Sequence, residues 1–314
     1  MKKEKISIVV PCFNEEEALP IFYKEFNKIV KKMDYVNFEL IFIDDGSKDD
    51  TLNILRNYSK KDDNVKYISF SRNFGKEAGM FAGFERATGD YVAVMDVDLQ
   101  DPPVMLIEMY DRIKKSNCDI VGLYTTCHND YGFFRKTFTN LWYKFSNKLI
   151  GFDQKGGARD FRLMKKKVCK SITSMKEYNR YIKGMYGYVG FKTEWIEYEA
   201  PDRMVGESKF SFSKLVNYAL EGITSFSTAP LILATTIGLI FCLVAFVAIL
   251  IIIFKTLVFG DPIGGWPSLA CIIIFSGGIQ LFFMGVLGYY LSKIYLEVKS
   301  RPVYIISESS EDLI

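Results

Sequence analysis

Acidic residues with the spacing of metal ligands follow one apolar run of the sequence. Asp96 and Asp98 come directly after the apolar residues 91–95, with Gln100 two positions further on. The run is typical of a buried parallel strand, and open α/β sheets bind their ligands beyond the carboxyl ends of such strands. Carboxylate and amide oxygens there can hold a hard divalent cation that also binds a diphosphate. A charged turn between strand and helix is the plainer alternative, because aspartate is common in turns.

A further carboxylate lies at the end of a different predicted strand. Asp45 follows the strand predicted at residues 38–43, so we expect it at the same edge of the sheet as Asp96. One carboxylate could then accept a hydrogen bond from a base or ribose while others hold Mg²⁺ or Mn²⁺. The sequence has no Walker A loop and no GxGxxG after its first strand, which argues against a P-loop ATPase and a Rossmann dehydrogenase.

Alternating strands and helices are predicted across the first half of the chain. Apolar residues at helical spacing lie between strands that are indicated at residues 5–10, 38–43, 65–70, 91–95 and 119–124. Asn14 is expected to cap the first helix, with Glu15, Glu16 and Glu17 in its first turn. Repeated β-α units of this length predict an α/β fold with a parallel sheet and helices on both faces.

Two long uncharged runs set the last third of the chain apart. Residues 222–254 and 262–292 contain no charged side chain, and each exceeds the roughly 20 residues that cross a bilayer. A core helix of a soluble protein rarely stays apolar over such a length. We therefore predict a hairpin of two transmembrane helices, at about residues 229–254 and 267–292.

The basic residues near these runs predict the orientation of the hairpin. They occur before residue 222 and in the tail at Lys293, Lys299 and Arg301, whereas Lys255 is the only basic residue of the linker. The positive-inside rule places such basic segments on the cytoplasmic side. The prediction is a multi-pass protein of the cell (plasma) membrane with its amino-terminal domain and both termini in the cytoplasm.

A predicted helix with one apolar face precedes the first run. Residues 211–226 carry apolar side chains at helical spacing, with charged and polar ones opposite. So near a membrane span this face is expected to lie in the lipid interface, although a core-facing helix shows the same pattern. The predicted organisation is a soluble domain at residues 1–210, an interface helix at 211–227 and the membrane hairpin with its tail at 228–314.

The composition excludes several classes of function. The net charge of +3 comes without a basic cluster interleaved with aromatic residues, so no nucleic-acid partner is expected. His128 is the only histidine, which excludes a Ser-His-Asp triad, a Cys-His pair and histidine-ligated zinc. The six cysteines are scattered and form no CxxC pair, as expected for reduced thiols in the cytoplasm.

Seven motifs, in this order, carry a resemblance to a known family. They are Pro11-Cys12-Phe13-Asn14-Glu15, Asp44-Asp45-Gly46-Ser47, Arg72-Asn73-Phe74-Gly75-Lys76-Glu77, Asp96-Val97-Asp98-Leu99-Gln100-Asp101-Pro102-Pro103, Gly157-Ala158-Arg159-Asp160-Phe161-Arg162-Leu163, Gly206-Glu207-Ser208-Lys209 and Ser225-Phe226-Ser227. The chain resembles the family 2 glycosyltransferases of the polyprenyl-phosphate type, which include bactoprenol glucosyltransferases and dolichyl-phosphate mannose synthase. The resemblance covers residues 5–300, and its two spans match the bactoprenol branch most closely.

The resemblance implies a fold, a reaction and partners. The fold is GT-A, a Rossmann-like nucleotide-sugar-binding domain, here followed by the interface helix and the two-helix transmembrane hairpin. The reaction is an inverting transfer of a sugar from a nucleotide diphosphate to undecaprenyl (polyprenyl) phosphate on the cytoplasmic face, with UDP-glucose or UDP-N-acetylglucosamine as the leading donors. The lipid product would supply cell-envelope glycosylation. A homo-oligomer, in the form of a tetramer, is also implied.

The resemblance also implies roles for individual residues. Those that hold the nucleotide sugar are Pro11, Phe13, Glu15, Ile43, Asp45, Val97, Arg203 and Lys209. Those that bind Mg²⁺ or Mn²⁺ are Asp96, Asp98 and Gln100, and the catalytic set is Asp96, Asp98 and Asp160. Asp160 could act as a base, but a positioning role is preferred because a lipid phosphate is already anionic at pH 7.

One departure from the family bears on the acceptor phosphate. Tyr124 stands where relatives often carry arginine, so the positive charge is expected from Arg135, Lys136, Arg159 and Arg162. The alternatives are that Arg159 and Arg162 pair with surface carboxylates, and that Arg135 and Lys136 are solvated helix charges or contact anionic lipid at the membrane surface. Lys76 and Glu77 are equally compatible with an ordinary helix start.

Two other functions compete with this reading. The first is a processive polysaccharide synthase. It is disfavoured because two membrane spans are few for a channel that exports a polysaccharide, and because no Gln-x-x-Arg-Trp sequence is present. The second is a non-catalytic scaffold that binds a lipid carrier, disfavoured by the intact set of Asp96, Asp98 and Gln100.

Overall fold

The computed structural model describes residues 3–125, 155–178, 180–198, 228–259 and 265–310. The chain divides into two compact units, which are taken separately below. The first comprises Met1–Tyr218 with Arg301–Ile314, and the second comprises Ala219–Ser300. The predicted interface helix at residues 211–227 lies outside the described residues.

The first unit is an α/β domain built on one sheet of eight strands. Its strands are β1 (Lys5–Cys12), β2 (Asn37–Asp44), β3 (Val65–Phe70), β4 (Tyr91–Val94), β5 (Ile120–Tyr124), β6 (Ala158–Lys165), β7 (Thr193–Glu197) and β8 (Ile306–Ser309). Its helices are α1 (Ala18–Lys32), α2 (Thr51–Lys61), α3 (Lys76–Arg86), α4 (Met105–Lys115), α5 (Lys166–Ser174) and α6 (Ile182–Tyr188).

The sheet is mixed, with strand order β7-β5-β6-β4-β1-β2-β3-β8. The strands β4, β1, β2 and β3 are parallel neighbours, as predicted. The prediction of a parallel sheet is wrong for β6, which runs antiparallel to β4 and β5, and for β8, which runs antiparallel to β3. β6 begins with Ala158 opposite Tyr124 at the end of β5 and runs back along that strand to Met164 opposite Ile120.

The core forms because the central strands are buried on both faces. Ile8 and Phe42 are fully buried, and Phe22 and Phe26 of α1 pack over them. The Phe22 ring meets Phe42 edge-on, with 6.1 Å between the ring centroids. The apolar stripe predicted for the first helix is therefore confirmed as its buried face.

The first helix begins later than the sequence predicts. Asn14 adopts a left-handed conformation with φ of 53°, and α1 begins at Ala18 without a side-chain cap. The Asn14 side chain accepts a hydrogen bond from the Lys48 amide at 2.9 Å, and the Asn14 amide donates to Ser47 Oγ at 2.9 Å. Asn14 therefore joins the loops after β1 and β2 rather than capping a helix.

The second unit contains two long apolar helices, α7 (Ala229–Phe259) and α8 (Trp266–Val298). Phe241 of α7 lies 5.7 Å from Phe275 of α8, measured between ring centroids. Large apolar side chains along both helices are exposed. Among the described residues, Phe275–Val298 has the length and hydropathy of a membrane span. The other predicted span, at about residues 229–254, stays a prediction, and so does the two-helix hairpin.

Candidate active site

Three predicted site residues lie at the same edge of the sheet. Asp45 and Asp96 follow the carboxyl ends of the parallel strands β2 and β4. Asp160 lies near the start of β6, which runs antiparallel to β4 with Arg162 opposite Val94. Two residues further along β4 and two residues back along β6, Asp96 and Asp160 therefore lie side by side. The mixed sheet thus gathers carboxylates that are far apart in sequence.

Asp45 is buried and bound by backbone amides. Its two carboxylate oxygens accept hydrogen bonds from Phe74 N at 2.6 Å and Gly75 N at 2.9 Å. Burial raises the pKa of Asp45, although these two amide hydrogen bonds oppose the shift. The loop at residues 71–75, called the donor loop below, is therefore fixed against the carboxylate that was predicted to bind the nucleotide.

Lys76 connects the other two carboxylates. Its Nζ lies 2.7 Å from Asp96 Oδ1, 2.8 Å from Asp96 Oδ2 and 2.6 Å from Asp160 Oδ2. Burial alone would lower the pKa of Lys76, but the charges of Asp96 and Asp160 outweigh it and raise that pKa. Lys76 is therefore a fixed positive charge between two acidic groups at the first residue of α3.

A second lysine completes the environment of Asp160. Lys183 Nζ of α6 lies 3.3 Å from Asp160 Oδ1. Burial would raise the pKa of Asp160, but the charges of Lys76 and Lys183 outweigh it and hold that pKa below its usual range. A carboxylate held ionised in this way is a weak base, which favours the positioning role for Asp160.

Glu77, the second residue of α3, contacts the start of α6, the helix that carries Lys183. Its Oε2 accepts a hydrogen bond from the Ile182 amide at 2.9 Å, at the start of α6. Burial raises the pKa of Glu77 to about 7, and the neighbouring Asp160 contributes to the shift. Glu77 thereby holds the helix that carries Lys183 against the helix that carries Lys76.

Hydrogen bonds within the turn after β4, and from β6 and Tyr198, hold this turn in place. Leu99 has a positive φ of 58°, and the Gln100 side-chain amide donates to Asp98 Oδ2 at 2.5 Å. Asp101 is buried and accepts a hydrogen bond from Arg159 Nε at 2.7 Å. The Tyr198 hydroxyl also donates to Asp101. The turn is therefore anchored to the domain at Asp101, whereas Asp98 is exposed to solvent.

The predicted acceptor role finds no support for two of the arginines. Arg159 is ion-paired with Asp101 and lies 3.3 Å from Gln100 Oε1. The Arg162 residue is 4 % exposed, and its guanidinium stacks 4.2 Å from the ring centroid of Tyr186. Arg162 is enclosed, whereas the Arg159 side chain is 29 % exposed, and the acceptor role of both stays a prediction. The ion-paired alternative holds for Arg159, although its partner carboxylate is buried rather than on the surface.

A lysine lies beside Tyr124, the residue that stands where an arginine is often found in the family. Lys155 Nζ lies 4.3 Å from the centroid of the Tyr124 ring, and the Tyr124 hydroxyl donates to Glu197 Oε2 at 2.9 Å. The tyrosine is therefore fixed from both sides, and a lysine from the loop before β6 brings positive charge there.

The turn after β4 has the ligand chemistry of a divalent-cation site. Asp96 and Asp98 offer carboxylate oxygens, which Mg²⁺ and Mn²⁺ prefer. Within the described ranges there is no cluster of three or more His, Cys, Asp or Glu residues that could hold a metal ion. A cation bound there would take most of its ligands from a diphosphate and water, and it would compete with Lys76, which contacts both oxygens of Asp96.

The other predicted site residues divide into two groups. Those that line the ends of β1, β2 and β4 are Pro11, Phe13, Glu15, Ile43 and Val97. Phe13 is 43 % exposed, and Ile43 and Val97 are buried. Those that lie outside the described residues are Arg135, Lys136, Arg203 and Lys209.

Sequence reasoning missed the lysines and the glutamate around Asp160. Lys76 and Glu77 belong to a motif that was noted, but a helix start explained them equally well. Lys183 lies in a short helix for which no motif gave a signal. An ion-paired lysine at the start of α3 would have been suspected only from knowing that Asp160 comes to lie beside it.

Comparison with known proteins identifies close relatives of the whole chain. The family model described as Glycosyl transferase family 2 matches residues 7–173. The SfII prophage-derived bactoprenol glucosyl transferase of Shigella flexneri is 43 % identical over 305 residues, covering 97 % of this chain and 98 % of the relative. The putative glycosyltransferase CsbB of Bacillus subtilis is 36 % identical over 312 residues, covering 99 % of this chain and 93 % of the relative.

A solved structure shows a more distant likeness. Glucosyl-3-phosphoglycerate synthase from Mycobacterium tuberculosis aligns with 71 % of this chain and 79 % of its own, at 16 % identity and a TM-score of 0.48. A similarity at this level has no bearing on the chemistry of this chain.

Proposed function

The chain belongs to glycosyl transferase family 2, and from that premise we propose that it transfers a monosaccharide from a nucleotide-diphosphate sugar to a polyprenyl phosphate. The observation that carries the proposal is that Asp45, Asp96 and Asp160 lie at one edge of the sheet, with Lys76 bridging the last two. Relatives named bactoprenol glucosyl transferase, aligned over almost the full chain, support the lipid acceptor.

The transfer requires few acid–base steps from the protein. An oxygen of the lipid phosphate attacks the anomeric carbon, the bond from that carbon to the diphosphate breaks, and the configuration inverts. The attacking oxygen is already anionic, so no strong base is needed. Asp160, kept ionised between Lys76 and Lys183, would orient the reacting groups and offset the positive charge that develops on the sugar.

Neutralising the charge on the leaving diphosphate is a larger requirement for the site than acid–base catalysis. A divalent cation, Mg²⁺ or Mn²⁺, would be held by Asp96, Asp98 and Gln100 and would neutralise that charge when bound. We propose that Arg203 and Lys209 assist at the same diphosphate, and that Arg135 and Lys136 bind the acceptor phosphate. Pro11, Phe13, Glu15, Ile43, Asp45 and Val97 would hold the rest of the nucleotide.

The donor and the lipid are tested together by a screen. Full-length enzyme in detergent is incubated with undecaprenyl phosphate, Mg²⁺ or Mn²⁺ and a panel of nucleotide sugars, and the lipid product is identified by mass. We expect UDP-glucose or UDP-N-acetylglucosamine to give a lipid that is heavier by one sugar. A product that grows by many sugars would instead support a processive synthase, and nucleotide binding without any product would support the scaffold.

The membrane arrangement is proposed with the same reaction in mind. We propose that both long apolar helices span the plasma membrane, that the active site and both termini are cytoplasmic, and that the chain assembles as a tetramer. Asp261→Cys should react with a membrane-impermeant maleimide in intact cells, because the linker is predicted to be external. Lys3→Cys is the matched control and should react only after permeabilisation. The reverse pattern would overturn the proposed topology.

A further inference from the structure

The last described strand returns to the first unit after the two long helices. β8 runs antiparallel to β3, with Ile68 opposite Ser309 and Phe70 opposite Ile306. The strand begins eight residues after α8 ends at Val298. None of the roles proposed so far uses this C-terminal strand, yet its contacts extend toward the donor side of the active site.

An ion pair holds the far end of the C-terminal strand. Both oxygens of Glu308 accept hydrogen bonds from Arg56 of α2, at 2.8 Å from Nε and 2.6 Å from Nη2. The Tyr67 hydroxyl donates to Glu308 Oε1 at 3.1 Å. A bidentate pair of this kind gives a defined geometry as well as attraction. The strand is therefore fixed in register along β3.

The near end of the C-terminal segment covers the start of the donor loop. The Tyr304 ring stacks on Phe70, with 4.9 Å between centroids and 18° between ring planes. The Tyr304 hydroxyl donates to Glu85 Oε2 at 2.5 Å. The Ser71 amide donates to the carbonyl of Ile305 at 2.9 Å. Side-chain and backbone contacts thus reach the first residue of the donor loop.

The donor loop transmits these contacts to Asp45. Phe70 meets Phe74 edge-on at 5.7 Å between centroids, and the Phe74 amide is a hydrogen-bond donor to Asp45. On the other side, a Cβ atom added to Gly46 would lie 2.5 Å from the carbonyl carbon of Arg72. The loop is therefore flanked by the turn that carries Asp45 on one side and by the Phe70 ring, on which Tyr304 stacks, on the other, while residues 71–73 are exposed.

We propose that Tyr304 is a positioning residue for donor binding. Its ring holds Phe70 and, through Phe70, the Phe74 amide that orients the Asp45 carboxylate. The inference rests on the proposed role of Asp45 in binding the nucleotide. It adds that a residue from the extreme C-terminal part of the chain sets the geometry of that contact without touching the substrate.

The test compares three variants of the full-length enzyme. Tyr304→Ala removes the stacked ring, and Tyr304→Phe keeps the ring but loses the hydroxyl contact with Glu85. Tyr35→Ala is the control, because Tyr35 is 47 % exposed and packs near Tyr110 rather than near the donor loop. Affinity for UDP is measured by calorimetry with Mn²⁺, and the KM values for donor and lipid phosphate are measured separately.

We expect Tyr304→Ala to weaken UDP binding and raise the donor KM by about two- to tenfold, which is the range for loss of one aromatic pair. The lipid KM should stay unchanged, and Tyr304→Phe should restore the donor KM. Hydrogen exchange should be faster at the Phe74 and Gly75 amides in Tyr304→Ala. This exchange experiment does not depend on activity.

Two outcomes would overturn the inference. One is a Tyr304→Ala enzyme with unchanged UDP affinity and unchanged exchange at the donor loop. The other is an equal rise in donor and lipid KM, since that indicates a general loss of structure. Failure of the wild-type enzyme to bind UDP would instead count against the proposed function, so the two failures are distinguishable.

Discussion

Replacing Asp98 with asparagine is expected to remove most of the turnover while the domain stays folded. The Asp98 side chain lies on an exposed turn, and its partner is the amide of Gln100, a contact that asparagine can partly keep. The substitution removes a negative charge that would bind the divalent cation. Losing one preorganised electrostatic contact to a leaving group costs on the order of a hundred- to a thousandfold in kcat. Steady-state kinetics and thermal unfolding measure the two parts of the prediction.

The matched control for this substitution is Asp111→Asn. Asp111 is an exposed aspartate of α4 that pairs with Lys115 at 3.4 Å, so its loss should leave kcat unchanged. Binding of Mn²⁺ in the presence of UDP, followed by electron paramagnetic resonance, should weaken in Asp98→Asn but not in the control. Full activity of the wild-type enzyme after EDTA treatment would contradict the metal-dependent mechanism.

Replacing Lys76 with methionine should lower kcat by about ten- to a hundredfold. The lysine makes charge-assisted contacts with Asp96 and Asp160, and because its side chain is partly exposed the two contacts together are worth roughly 1.5–3 kcal/mol. Without it, two carboxylates are left near each other, and the geometry at the reacting sugar is lost. Lys76→Arg keeps the charge and should recover part of the activity.

The same variant should be more sensitive to acid. The pKa of Asp160 is held below its usual value by Lys76 and Lys183, so the stability from this pairing is present at neutral pH and is lost as pH falls through the lowered pKa. Removing Lys76 raises that pKa, and acid unfolding should therefore begin at a higher pH. Lys115→Met, at an exposed surface pair, is the control. Identical acid-unfolding curves and kcat values for Lys76→Met and the wild type would rule out the bridging role.

Part of the candidate site could be read from local pattern alone. The apolar runs before Asp45 and Asp96 predicted the strands β2 and β4, and parallel neighbours present their carboxyl ends at one edge. The family followed from motif order and is confirmed by the match over residues 7–173. The roles of the individual site residues and the domain boundaries stay predictions.

Other features could not be predicted because they depend on contacts between distant residues. Lys76 is 20 residues from Asp96 and 84 residues from Asp160 in the sequence. Arg159 and Arg162 are of a residue type that often binds phosphate, yet the Arg159 guanidinium pairs with Asp101 and that of Arg162 stacks on the Tyr186 ring. Asn14 has the residue type of a helix cap, yet its hydrogen bonds go to the loop after β2. In each case a tertiary partner outweighs a local preference.

By itself, the sequence determined the α/β class, the strands that end in acidic residues, and the long apolar helices. These follow from the periodic burial of side chains that are neighbours along the chain. Only the tertiary structure decided that β6 runs antiparallel beside β4, which places Asp160 next to Lys76 and Asp96. It also decided that β8 pairs with β3, which places Tyr304 on Phe70, next to the donor loop. Strand direction and ion pairing depend on which elements come together in the folded domain. The periodicity of residues that are neighbours along the chain contains no information about those contacts.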